Sequence, residues 1–194
     1  MTRQWREPAG VSAHEVVAVS PGAQLDAPLG ASDADDLVHG LYREHAVTLV
    51  RMAKLLLRDR ESAEDAVQDA FLGLYRALDR LTDHDDLTPY LRAAVINRCR
   101  SVLRTRRRAM LRPVQHEPEV SSPESAAMAA EERRAVLDAV SQLPRRAREV
   151  LVLRYYLGLT DEQVAATLSV SRGTVSSTAS RAIAALGKTL KEDL

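Results

Sequence analysis

Two arrays of side chains in this chain have the types and spacing to act on a polyanion. The first is a helix from about Arg172 that turns Ser176, Ser177, Ser180 and Arg181 to one side, with Arg172 and Thr174 at its start. It follows a short helix, Asp161–Leu168, and a three-residue turn, Ser169-Val170-Ser171, which together read as a helix-turn-helix. Small hydroxyls and one guanidinium on a projecting helix suit the base edges and phosphates of a DNA major groove. The second array is Asn97, Arg100, Arg104, Arg107 and Arg108, at i, i+3, i+7, i+10 and i+11 of one helix. Four guanidiniums along one edge, close to an amide, form a track for a phosphate backbone. The bland alternative is a solvated basic face. Such faces normally mix signs, and this one does not, so DNA is the better reading.

Other groups are less decisive. Asp65, Gln68, Asp69 and Leu72 share a helical face; alone it is either a wet surface or a dock for a basic partner helix. Arg145, Arg146 and Arg148 open a helix where cations oppose the macrodipole. Phosphate contact and a generic surface cluster both fit them. Catalytic patterns are missing: the five His residues have neither metal-ligand spacing nor a paired Cys, and the sequence holds no phosphate-cradling glycine loop and no nucleophile elbow. Cys99 falls on an apolar helical face and reads as core. Asp83, Asp85 and Asp86 read as a solvated loop. The expectation is a binding protein, not an enzyme, with no cofactor or metal.

The elements that would position these groups are all helical. Ser32 and Asp35 suggest a capping box opening a first helix to about Leu57, burying Leu37, Leu41, Leu49, Met52, Ala53 and Leu56. Asp59 would cap a second, about Arg60–Leu81, with Val67, Ala70, Phe71, Leu74, Leu78 and Leu81 inward. Thr88-Pro89 reads as an N-cap followed by proline at the first helical position, starting a third helix to about Ala109 with Leu91, Val95, Cys99 and Val102 buried. Pro113, Pro118 and Pro123 mark a linker. A helix of about Glu124–Gln142 then ends before Pro144, and Arg145–Leu157 is stopped by Gly158. Thr160 and Gln163 form a capping box for the helix-turn-helix, which buries Val164, Ala165 and Leu168, then Val175, Ala179, Ala182, Ile183 and Leu186. The predicted fold is all-α: two small helical domains, residues 32–110 and 123–190, joined by a linker at 111–122. Residues 1–31, acidic and aperiodic, read as a disordered tail.

Composition sets the outer bounds. The 194 residues have a formal net charge of zero, yet residues 88–112 carry eight Arg and no acid while their flanks are acidic. Polarised charge of this kind steers phosphate binding. One Cys excludes an intramolecular disulfide and fits a reducing compartment. No apolar run reaches the ~18–20 residues of a membrane span, and no signal peptide is evident, so a cytoplasmic location without membrane insertion is expected.

In this order the pieces resemble a bacterial RNA polymerase sigma factor of the extracytoplasmic-function (ECF) type. LYREHAVTLVRMAKLLLRDRESAEDAVQDAFLGLYRALDRL resembles region 2, PYLRAAVINRCRSVLRTRRR its promoter-melting helix, and LPRRAREVLVLRYYLGLTDEQVAATLSVSRGTVSSTASRAIAAL region 4. SRGTVSSTASRA is similar to the actinobacterial SigE-like branch. The resemblance implies transcription initiation, with core RNA polymerase (β′ coiled coil and β flap), promoter DNA and, as a candidate, an anti-sigma factor as partners. It implies that Asp65, Gln68, Asp69 and Leu72 dock polymerase and that the loop Asp79–Thr88 holds a flipped base. Tyr90, Asn97, Arg100, Ser101, Arg104, Arg107 and Arg108 would contact the −10 element, and Arg172, Thr174, Ser176, Ser177, Ser180 and Arg181 the −35 element. Ser176 stands where the family often has Lys or Arg, which implies a weaker contact there. Ser169 takes a turn position often held by Gly. A stand-alone helix-turn-helix repressor or activator, and a helical adaptor for an acidic protein, are the alternatives.

Overall fold

The structure is a computed structural model that describes residues 31–81, 86–109 and 125–192, with the backbone alone for Ala31 and residues 125–133. The expected tail, the linker at 111–122, the Ser122-Pro123 helix start and the centre of the Asp79–Thr88 loop lie outside the described residues. Among those residues there are seven α-helices and no strand.

Helices α1 (Ala31–Leu57), α2 (Arg60–Tyr75) and α3 (Thr88–Ala109) pack on one another as the first domain. Leu49, Met52, Ala53 and Leu56 of α1 are buried as their spacing predicts, and Leu37 and Leu41 pack at the margin. Ser32 lies inside the first turn of α1 rather than before it, so it is not a cap for that helix. Arg58 then takes a left-handed φ of 57°, and Asp59 caps α2 by accepting from Ser62 N at 3.0 Å.

The second helix is shorter than its apolar spacing suggests. It ends at Tyr75, and after Arg76-Ala77 a 3₁₀ turn, Leu78–Arg80, carries Leu78 into the core and leaves Leu81 half-buried. Ala77 N bonds to Leu74 O at 2.8 Å, an i→i−3 bond that tightens the exit. Thr88 is also one step from its expected role. Leu91 N bonds to Leu87 O at 3.0 Å, which puts Thr88 inside the helix. Asp86 Oδ1 accepts from Thr88 N at 3.0 Å in its place. Along α3, Leu91, Val95, Ile96 and Cys99 are buried and Val102 is half-buried.

The second domain holds α4 (Ser125–Gln142), α5 (Arg145–Leu151), α6 (Asp161–Leu168) and α7 (Arg172–Glu192). The expected helix Arg145–Leu157 is not α-helical throughout. Beyond Leu151 it widens into a π-helical turn, Val152–Tyr156, in which Leu157 N reaches Val152 O at 3.2 Å. Gly158, at φ 66°, then ends it. Tyr155 and Tyr156 are exposed at this widening.

Both members of the Thr160–Gln163 capping box form, at 2.9 and 3.2 Å. Helix α6 closes in a Schellman motif: Val170 N bonds to Ala165 O at 3.0 Å and Ser169 N to Ala166 O at 3.2 Å, with Ser169 left-handed at φ 54°. Ser171 Oγ caps α7 by accepting from Thr174 N at 3.1 Å. Val175, Ala179 and Ala182 are buried and Leu186 packs beside them, but Ile183 is 48% exposed. At ~100° per residue Ile183 lies about 80° around the helix from Val175, off the seam that the other four share.

The two domains touch. One apolar cluster runs from Leu49, Met52, Leu91 and Val95 into Val150, Leu153, Leu159, Val164 and Val175.

Candidate nucleic-acid interface

The reading face of α7 stands free as its sequence pattern predicts. Ser176, Ser177, Ser180 and Arg181 are exposed, held by the seam beneath them. Ser177 Oγ donates to Thr174 O at 3.3 Å and Arg181 Nε to Ser177 O at 3.1 Å, which lays the arginine stem along the helix with its guanidinium at the surface. Thr174 Oγ1 is hydrogen-bonded to Ser171 Oγ at 2.9 Å, and Arg172 Nη1 pairs with Glu162 Oε1 at 2.9 Å across the turn. That partner, its own backbone hydrogen bond first, holds Glu162 below the usual carboxylate range.

The basic edge of α3 divides. Arg104, Arg107 and Arg108 are exposed, as is Asn97. Arg100 is instead turned into the protein: its Nε and Nη2 meet Glu149 Oε1 and Oε2 at 2.9 and 2.8 Å, and Nη1 donates to Asn97 Oδ1 at 3.2 Å. This is the two-pronged geometry that a guanidinium also offers a phosphate. Ser101 is half-buried, and Tyr90 packs against the apolar cluster instead of standing free.

Several participants were not singled out from sequence. Arg106, between the expected Arg104 and Arg107, turns back to α2, where Nη2 meets Asp59 Oδ2 at 2.8 Å and Nη1 donates to Leu57 O at 3.0 Å. The Ser62 hydrogen bond, with Arg106 behind it, holds the Asp59 carboxyl below its usual range. Glu149 is buried among Arg100, Arg145 (3.6 Å) and Arg146 (3.4 Å). Its i+4 and i+3 spacing from Arg145 and Arg146 is legible in RRARE, while the Arg100 contact, 49 residues away, has no local signal. Arg148 is also drawn inward, donating to Leu56 O (3.0 Å), Leu143 O (3.2 Å) and Ser141 O. Burial, and then Arg58 nearby, lower its pKa from the ordinary arginine value. The three arginines that open α5 are therefore engaged with protein groups rather than forming a free phosphate cluster.

On α2, Asp65, Gln68, Asp69 and Leu72 are all exposed on one face, with Leu72 at 52%. Asp69 lies 3.8 Å from Arg98 of α3, an exposed pair of small energetic weight. Cys99 is buried, and desolvation, then Glu149, push its thiol up to about 12, a poor nucleophile. Among the described residues no group of three or more His, Cys, Asp or Glu could hold a metal, and no helix is long and apolar enough to cross a membrane.

These two surfaces correspond to known modules. The model for sigma-70 region 2 matches residues 41–109, and that for sigma-70 region 4 matches residues 133–186. The ECF RNA polymerase sigma factor SigL of Mycobacterium tuberculosis is 35% identical over 171 residues, covering 84% of this chain and 94% of SigL. The RNA polymerase sigma-E factor of Streptomyces avermitilis is 33% identical over 143 residues, 74% of this chain and 79% of that one. A probable sigma factor of Xanthomonas campestris, RfaY, is 33% identical over 142 residues; they are 70% of this chain, which spans only 36% of RfaY. Among solved structures, CnrH in complex with the cytosolic domain of CnrY superimposes with a TM-score of 0.62 at 27% identity, covering 83% of this chain and 96% of CnrH. The chain belongs to the ECF sigma factors of the sigma-70 family. Proteins of that family are transcription initiation factors.

Proposed function

We propose that this chain binds core RNA polymerase and directs it to promoters, with residues 32–110 docking the enzyme and opening the −10 element and residues 123–190 reading the −35 element. The observation that carries this is a region 2 and a region 4 in order on one chain, each presenting its own exposed face. Asp65, Gln68, Asp69 and Leu72 of α2 dock the polymerase β′ coiled coil, and the second domain meets the β flap. Arg104, Arg107, Arg108 and Asn97 of α3 take the −10 strand, with Arg100, Ser101 and Tyr90 joining them. Bases leaving the stack are captured while the guanidiniums hold the backbone. Arg172, Thr174, Ser176, Ser177, Ser180 and Arg181 of α7 meet the upstream duplex. Each contact is small; tethering both to one enzyme raises their effective concentration.

A stand-alone repressor or an adaptor would account for α7 or α3 alone, and neither accounts for region 2 preceding region 4. Such a factor works in the cytoplasm. The likeness to CnrH, solved with another protein bound, supports a second protein partner, which the family's pattern makes an anti-sigma factor. The test is reconstitution. Adding the chain to core polymerase starts transcripts at a defined promoter, and Asp65→Arg with Asp69→Arg abolishes them while circular dichroism stays native. Undiminished transcription from the double variant removes the docking assignment.

A further inference from the structure

The junction between the domains is held by polar ties that use a DNA-contacting arginine. Glu149 is 2% exposed and was the one charged residue found fully buried among the described residues. A carboxylate so placed must be compensated, and its two-pronged partner is Arg100 of the other domain. Two further ties cross the same junction: Arg58 pairs with Asp138 and Ser141 of α4, and Arg148 of α5 donates to Leu56 O of α1. The packing there is incomplete. A cavity of about 170 Å³ remains between the domains, lined by His45, Thr88, Arg92 and Tyr156 among others. An interface that is polar-tied and imperfectly filled is suited to separating.

We infer that Arg100 and Glu149 form a latch that closes the two domains on each other, the Glu149 carboxylate occupying the place of a DNA phosphate. The closed molecule is therefore poor at taking the −10 strand until the domains part. Glu149 sits among three guanidiniums, and Arg145 and Arg146 lie on its own helix and stay with it on opening. Arg100 alone is released. A backbone phosphate then replaces the carboxylate on the same guanidinium, so DNA binding and domain closure exclude each other. This rests on the reading of Arg100 as a −10 contact.

Cys99 supplies the reporter. It is the only cysteine in the chain, lies next to Arg100, and faces the same crevice as Leu56, Leu103, Arg145, Arg148 and Glu149. In the full-length protein without polymerase, Glu149→Ala is expected to raise the rate of maleimide labelling at Cys99 about tenfold and to enlarge the radius of gyration in small-angle scattering. It should also tighten binding of a short, mixed-sequence, fluorescein-labelled single-stranded DNA by about tenfold, because the competent state no longer has to be drawn from a minor population. Asp138→Ala, which unties Arg58 and leaves Glu149 in place, should move all three in the same direction by less, and it serves if Glu149→Ala fails to fold. Folded variants that label and scatter like the parent overturn the latch. Faster labelling without expansion overturns it too, as local loosening. Expansion with unchanged DNA affinity overturns the masking of Arg100. None of these results touches promoter-directed transcription by the reconstituted holoenzyme, which tests the underlying function separately.

Discussion

The two DNA-facing helices, α3 and α7, differ in how ready they are. The α7 face is built from short hydroxyl side chains and one arginine laid along its own helix, fixed by Val175, Ala179 and Ala182 beneath. It needs no rearrangement to enter a groove. The α3 edge is built from long guanidiniums, and two of its arginines are already engaged: Arg100 with Glu149, and Arg106 with Asp59. Side chains long enough to reach a phosphate also reach the protein's own carboxylates, so a dense arginine helix carries its own competitors. Readiness is set by side-chain length and nearby acids, not by charge alone.

The contrast depends first on the shared core. Leu153 is fully buried in the apolar cluster that spans both domains. Leu153→Ala should cost about 2–5 kcal/mol, and calorimetry should show both domains destabilised in one transition. A loss confined to one domain, with the other melting as before, would separate the two surfaces thermodynamically. Next in size, Arg181→Ala should weaken binding of the holoenzyme to the upstream duplex by about 1–3 kcal/mol in a titration, leaving single-strand binding by the free protein unchanged. A matching loss on single strands would erase the distinction between the faces.

The smallest effect concerns the arginine that never leaves the protein. Asp59→Ala removes the α2 cap and the Arg106 partner and should cost about 1 kcal/mol at neutral pH. The folded Asp59 pKa lies below its unfolded value of 3.8. Its contribution is therefore fully present above that value and fades as pH falls through the lower, folded one. The gap between parent and variant in urea melts should close in that acid range. A gap that persists there would assign the effect to Arg106 packing instead of the carboxylate.

Much of this was legible in the sequence, and the reason is local. Caps are read over three or four residues, so Asp59, the Thr160–Gln163 box and Ser171 were all visible in advance, as was the full extent of α3, Thr88–Ala109. Errors arose where spacing continued past a change of geometry. Leu78 and Leu81 keep helical spacing although the chain has tightened to 3₁₀, and Ile183 sits near enough to the seam to be counted with it. The exposed faces of α2 and α7 were read correctly because exposure follows from periodicity. The state of Arg100, Arg106 and Arg148 was not, because their partners at Glu149, Leu57, Asp59 and Leu56 are set by tertiary packing across 47 to 92 residues.

The widened turn at Val152–Tyr156 has a geometric consequence. A π turn takes in one residue more than an α turn, and each residue of a helix corresponds to about 100° of rotation about its axis. Everything downstream, including the whole reading head, therefore owes its azimuth to a single residue of slack. Where the hydroxyl face of α7 points relative to α3 is dialled in by that one insertion, far from any atom that meets a base.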